Sequence, residues 1–181
     1  MAAALDNENP LVRERETVVR RKDEGANRGA LLGNYLGDGA YAATLQEEEG
    51  SDEREPIDSI EVFEHIRDIA DPEHPYSLEQ LGIVSHEDIK VDDVKGVIDV
   101  YFTPTVAHCS MATLIGLCIR AKIMRVLPSR FKVKVVLSKG SHSTEEAVNK
   151  QLNDKERVLA ALENPNLLQL VNKCLAPTEA A

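Results

Sequence analysis

Basic charge, apolar runs and patterned cysteines are all in short supply in this chain. It has 31 acidic against 21 basic side chains, a formal net charge of -10. That balance argues against an intrinsic nucleic-acid binder, because phosphate recognition needs a clustered basic face. No apolar run approaches the ~20 residues that span a bilayer. The opening MAAALDNENP has neither a basic stretch nor an apolar one, so no secretory signal is expected there. The three cysteines, an odd number with no C-x-x-C, do not make a disulfide framework. A reducing compartment is expected. No repeat of solenoid length, P-loop or dinucleotide fingerprint is present.

What is present divides in two. Residues 1–56 hold 13 acidic and 7 basic side chains, in the order RERETVVRRKDE, a glycine-rich GANRGALLGNYLGDGAYAA, then acidic QEEEGSDEREP. Low hydrophobicity and blocks of charge do not offset the entropy of ordering, so this tail is expected to be largely disordered, and residues 1–50 to be removable without unfolding the domain. Asn9–Val12 and the cluster Leu31, Leu32, Tyr35 and Leu36 are candidate docking segments, though stray apolar residues in a solvated linker are the better account of the second.

From residue 57 to 181 the pattern is that of a folded domain. Ile57, Ile60, Phe63, Ile66 and Ile69 have helical spacing, ending before Asp71-Pro72. LGIVSHEDIKVDD reads as a short strand or two, reversed at Asp93–Gly96. Ile98, Val100 and Phe102 alternate with polar neighbours along the next strand. SMATLIGLCIRAKIMRVL is a largely apolar helix stopped by Pro128. FKVKVVLS alternates again, with Phe131, Val133, Val135 and Leu137 inward and Lys132 and Lys134 outward. Ser143 with Glu146, and Asn153 with Glu156, have capping-box spacing, which predicts a helix that kinks or restarts before Asn164-Pro165. NLLQLVNKCL closes the series. The order α-β-β-α-β-α-α predicts an α/β (α+β) domain, a small mixed sheet packed with helices.

The richest stretch for chemistry is Thr103–Thr113, TPTVAHCSMAT. It takes a strand end through a proline and sets His108 and Cys109 at the mouth of the long helix. Unpaired amides and the helix dipole favour a thiolate there, making Cys109 the candidate reactive residue. An inert buried cysteine is the competing account. His142, in the loop Lys139–His142, joins His108 and Cys109 as a candidate metal set, of ligand types that suit Zn or Fe. The same Cys109 and His142 are the only pair on which a thiol-dependent enzyme could be built, and nothing marks an oxyanion hole or an orienting third group. Cys118 and Cys174 read as packing residues, and His65 and His86 as surface residues.

Three long motifs in one order, DPEHPYSLEQLGIV, TPTVAHCSMATLIGL and VNKQLNDKERVLAALENPNL, resemble the MIP18-like family, component 2 of the cytosolic iron–sulfur assembly targeting complex. The resemblance covers about residues 57–177, and ENPLV near the start is similar to the broad-client type. It implies a non-enzymatic adaptor between a WD40 β-propeller protein and a HEAT-repeat protein. It also implies Fe–S client apoproteins such as DNA polymerases and helicases, work in cytoplasm and nucleus, and a link to chromosome partition. The family's reactive cysteine matches Cys109. No permanently bound cofactor is implied, only a transient Fe–S cluster, which one thiolate cannot hold because clusters usually take four cysteine ligands. A homodimer and a purely structural module with an inert Cys109 stay open as alternatives. Two departures stand out: Val106-Ala107 where many relatives have Ile-Pro, and the glycine-rich insertion around 25–45.

Overall fold

The computed structural model describes residues 10–18, 55–105 and 111–179, and the described residues form three strands and five α-helices in the expected alternation. Helix α1 (Ser59–Ile66) starts at Asp58, whose carboxylate accepts the amide of Glu61 at 2.7 Å, and it buries Val62, Phe63 and Ile66. It ends sooner than the Ile57–Ile69 spacing predicts. Ile69 stays fully buried, but Ala70 already pairs with Ser77 in an isolated bridge, so the chain has left the helix to form the Asp71–Pro75 turn.

Strand β1 (Ile89–Asp92) runs antiparallel to β2 (Val97–Phe102) through the Asp93–Gly96 reversal, where Gly96 takes a φ of +64° that a side chain would strain. Strand β3 (Lys132–Leu137) lies parallel to β2. A parallel pair requires a crossover, and helix α2 (Met111–Val126) supplies it. Ile98, Val100 and Phe102 are fully buried on the inner face of β2, and α2 is buried around most of its circumference, from Ala112 through Ile123. This is the core that the alternation in β2 and β3 and the apolar length of α2 predict.

In the order β1-β2-β3, strand β3 is an edge. An unpaired edge invites association, and here helix α3 (Glu145–Asn153) closes it with side chains. Asn149 accepts the amide of Leu137 at 2.8 Å. Asn153 accepts the amide of Val135 at 3.2 Å and donates to its carbonyl at 2.9 Å. That use of Asn153 corrects the capping expectation, because the neighbouring Asp154 caps helix α4 (Lys155–Glu163) by accepting from Glu156 and Arg157. The expected Ser143–Glu146 box is also replaced. Thr144 holds the N-cap position without a side-chain bond to the helix, its hydroxyl lying 3.1 Å from His142 Nδ1 instead, and the Glu145 carboxylate accepts the amide of Gly140 at 2.8 Å. The predicted restart is thus a clean break between two helices. Helix α5 (Pro165–Glu179) begins with proline in its first turn, where the missing N–H costs nothing, and runs longer than NLLQLVNKCL.

Residues 1–16 group with 57–181, and 17–56 form a separate unit that falls almost wholly outside the described residues. The Leu31–Leu36 cluster and the insertion around 25–45 lie there. Of the candidate segment Asn9–Val12, Asn9 lies outside the described residues, and Leu11 is 82% and Val12 44% exposed. The docking is done by the residues just after it. The Arg13 amide donates to the Gln80 carbonyl at 2.6 Å, and the Glu16 amide to Glu79 at 2.7 Å. These amides and the Arg15–Asp68 ion pair at 3.0 Å, not the exposed apolar pair, hold this strap.

Candidate functional site

Phe102 stands opposite Leu137 in the parallel pair, so β2 and β3 end at the same edge of the sheet. Beyond that edge the Thr103 amide bonds to the Ile83 carbonyl at 2.9 Å, and the Ser138 amide bonds to Phe102 at 2.8 Å. The segment carrying His108 and Cys109 and the loop carrying His142 therefore leave the sheet from adjacent strand ends. The carboxyl edge of parallel strands is where open α/β sheets place their ligands. His108 and Cys109 themselves lie outside the described residues, and α2 begins at Met111, two positions after Cys109 in the sequence.

His142 is half-buried. Its Nδ1 accepts the Thr144 amide at 3.2 Å, and its carbonyl accepts the Glu145 amide at 3.3 Å. An Nδ1 that accepts from an amide leaves the ring proton on Nε2. The loop turns at Gly140, with φ +78°, and borders an open cleft of about 640 Å³ together with Lys139, Ser143 and Glu146. Among the described residues no three His, Cys, Asp or Glu side chains gather to hold a metal ion, and no helix is long and apolar enough to cross a membrane.

Sequence reasoning missed two buried polar clusters. Arg67 and Glu79, 3% and 6% exposed, form a two-point pair, Nε to Oε2 at 2.9 Å and an Nη to Oε1 at 2.7 Å. Arg67 also bonds Glu64 and the Glu16 carbonyl, and lies 4.9 Å from the centre of the Phe63 ring. The hydrogen bond that Arg67 donates to Glu79 raises the Arg67 pKa above its ordinary value, against burial. Burial by itself pushes Glu79 up, yet the Arg67 bond, the Glu16 amide and the charges of Arg67 and Arg15 together hold it below the usual carboxylate range. In the second cluster Asp71 Oδ1 accepts the amides of Glu73 and His74 at 2.8 and 2.9 Å and faces His74 Nδ1 at 3.2 Å. An Asp-Pro-x-His turn was the available signal, since aspartate readily bonds the backbone two or three residues on. His65 and His86 are half-buried, not surface residues. Burial lowers the His65 pKa, and His86 stacks edge-on to Phe63 at 6.1 Å.

Residues 60–137, from α1 through β3, match the family described as iron-sulfur cluster assembly protein. The span contains the Cys109 segment and the whole sheet, and with the fold it defines the chain as an α+β protein of the iron–sulfur assembly class. Protein AE7 of Arabidopsis thaliana is 60% identical over 125 residues, 69% of this chain and 80% of that protein. Cytosolic iron-sulfur assembly component 2B of Mus musculus is 51% identical over 159 residues, 84% of this chain and 96% of that one. A MIP18 family protein of Schizosaccharomyces pombe is 46% identical over 181 residues, 97% and 98% of the two chains. The chain belongs to the MIP18 family.

Proposed function

We propose that this protein is a non-enzymatic adaptor of cytosolic iron–sulfur protein assembly, helping deliver clusters to cytosolic and nuclear apoproteins. The observation that carries the reading is the near full-length similarity to a protein named cytosolic iron-sulfur assembly component 2B. Its partners on this reading are a WD40 β-propeller protein and a HEAT-repeat protein. Its clients include DNA polymerases and helicases, which ties it to chromosome partition. Cys109 is the working residue on this reading: in the sequence it lies between β2 and α2, two positions before Met111, and a helix start favours thiolate. A cluster is cargo here. One thiolate supplies one of the four ligands a cluster usually takes, so the remainder come from partner or client. On this reading His108 and His142 would join Cys109 should Zn or Fe bind, as ligand types that suit those metals.

Copurification of the tagged full-length protein from its own cells tests the reading. Recovery of a WD40 protein and a HEAT-repeat protein in stoichiometric amounts is the expected result. Recovery of neither, with turnover of a small thiol-reactive substrate that depends on Cys109 and His142, would replace the adaptor by an enzyme.

A further inference from the structure

Ile98, Val100 and Phe102 turn one face of the sheet into the core, so Val97, Asp99 and Tyr101 point to the other. Residues directly opposite in register share a face. Lys90 of β1 therefore stands beside Asp99, and Lys132, Lys134 and Val136 of β3 stand beside Val97, Asp99 and Tyr101. Lys90, Asp99 and Lys134 form one row across all three strands. On this outer face the three lysines are exposed, and Asp99, Tyr101 and Val136 are only half-buried. A parallel pair such as β2 and β3 is usually covered on both faces. Among the described residues only the inner face is.

The charge on the open face runs against that of the chain, which is -10 overall. Of its two aspartates, Asp92 is taken up by Lys95 at 2.8 Å, which leaves Asp99 against three lysines. Among the described residues none of the three lysines is in an ion pair, whereas Arg130, two positions before Lys132, pairs with Asp93 at 2.7 Å. Lys90 Nζ lies 5.4 Å from the centre of the Tyr101 ring, and Tyr101 stands opposite Val136, so the lysines border a small apolar strip. Lys132 and Lys134 are about 7 Å apart along β3, and Lys90 is about 10 Å from Lys134, two strand spacings away. An extended chain also sets alternate side chains about 7 Å apart on one side, so carboxylates at every second position match Lys132 and Lys134. A second copy of this face would oppose lysine to lysine. A nucleic-acid backbone would meet Asp99 in the middle of the row, where it needs a continuous basic stripe.

We propose that the outer face of the sheet is a docking surface for an acidic, extended segment of a partner protein. Carboxylates at alternate positions of that segment pair with Lys132 and Lys134, another pairs with Lys90, and apolar side chains between them rest on Tyr101 and Val136. Tyrosine is a common anchor of such contacts, while exposed charge pairs add selectivity and salt dependence more than affinity. The surface goes beyond the adaptor reading, since it involves neither a cluster nor Cys109.

The test titrates the full-length protein into a short fluorescent peptide in which glutamates alternate with leucine and valine, read by anisotropy at low and at physiological salt. The expected result is saturable binding that salt weakens, and that falls at least about tenfold when Lys132→Glu and Lys134→Glu are combined. Tyr101→Ala, which leaves the charge alone, weakens it as well. Lys155→Glu with Lys173→Glu, the same change of charge on exposed residues of α4 and α5, leaves it unaltered. Thermal unfolding of each variant is read beside the titration, and Lys132→Gln with Lys134→Gln replaces the reversal if that variant melts early. No binding by the wild type, equal binding by the face variants, or an equal loss in the α4–α5 control would overturn the proposal. So would tighter binding of a short DNA duplex to the same lysines, or a dimer that the face variants dissolve.

Discussion

Gly116 sits on the face of α2 that meets α3 and β2, and replacing it by alanine sets two effects against each other. In an open helix Gly→Ala stabilises by about 1 kcal/mol. Here a Cβ would lie 2.4 Å from Leu152 Cδ1, 3.0 Å from Cδ2 and 3.2 Å from Phe102 Cζ. Leu152 is 2% exposed and Phe102 fully buried, so neither can simply swing into solvent. Overpacking of this kind costs about 1–3 kcal/mol. Leu152 does border a cleft of about 400 Å³ beside Leu117 and Val158, which gives its methyl groups a direction to move. The net expectation is a loss of about 1 kcal/mol, or about 2–4 °C in Tm. The decisive variant is the double one. Leu152→Ala alone loses about 2–5 kcal/mol through its cavity. In that background Gly116→Ala meets no δ carbons and only the Phe102 Cζ approach at 3.2 Å remains against its helical advantage, so it stabilises by up to about 1 kcal/mol. Urea denaturation of the four proteins reads the cycle. A reversal of sign, with a coupling of about 2 kcal/mol, supports the packing described. The same sign and size in both backgrounds would refute it.

Glu79→Gln is expected to cost about 3 kcal/mol at neutral pH, because it leaves Arg67 buried beside an uncharged partner. Glu79 has its pKa lowered on folding, so its contribution is present above the unfolded carboxylate value of about 4.3 and lost as pH falls through the folded value. Denaturation at pH 7 and pH 3 should show the gap between wild type and variant shrinking in acid; a constant gap counts against the pair. Asn153→Ala removes the partners of both Val135 backbone groups, an expected loss of about 1–3 kcal/mol with faster exchange of the Val135 amide. Normal protection at Val135 would mean that α3 does not close the sheet edge. Deleting residues 1–16 removes the Arg13 and Glu16 amide bonds to Gln80 and Glu79. At about 1 kcal/mol each, Tm should fall by about 4–8 °C; an unchanged transition would reject the strap.

The elements whose side chains repeat with the backbone were legible in the sequence. Ile98, Val100 and Phe102 alternate and are fully buried; Lys132 and Lys134 alternate against them and are exposed. Pro128 and Pro165 stand at real boundaries, just past α2 and at the start of α5, whereas α1 ends six residues before Pro72. What was not legible depends on which distant segment a polar side chain meets. Asn153 has the spacing of a cap, and only the position of β3 beside α3 turns it into an edge clamp. Arg67 and Glu79 look like ordinary surface charges until the Ala70–Ser77 bridge folds one onto the other. Lys122 and Thr178 lie 56 positions apart, and no local pattern says that α2 and α5 meet there. The candidate edge was half visible. A proline and a helix start marked the Cys109 segment, while the adjacency of the strand ends from which it and the His142 loop depart follows from the parallel pairing of β2 with β3.

The central claim is that Cys109 serves cluster delivery and not the fold. Cells carrying Cys109→Ala as the only copy of the protein put it to the test, by measuring iron occupancy of an Fe–S helicase or polymerase alongside the abundance of the variant. The account predicts a variant present at wild-type level, with the client stripped of its iron. Full client occupancy at unchanged variant abundance would contradict it and leave Cys109 without a part in delivery.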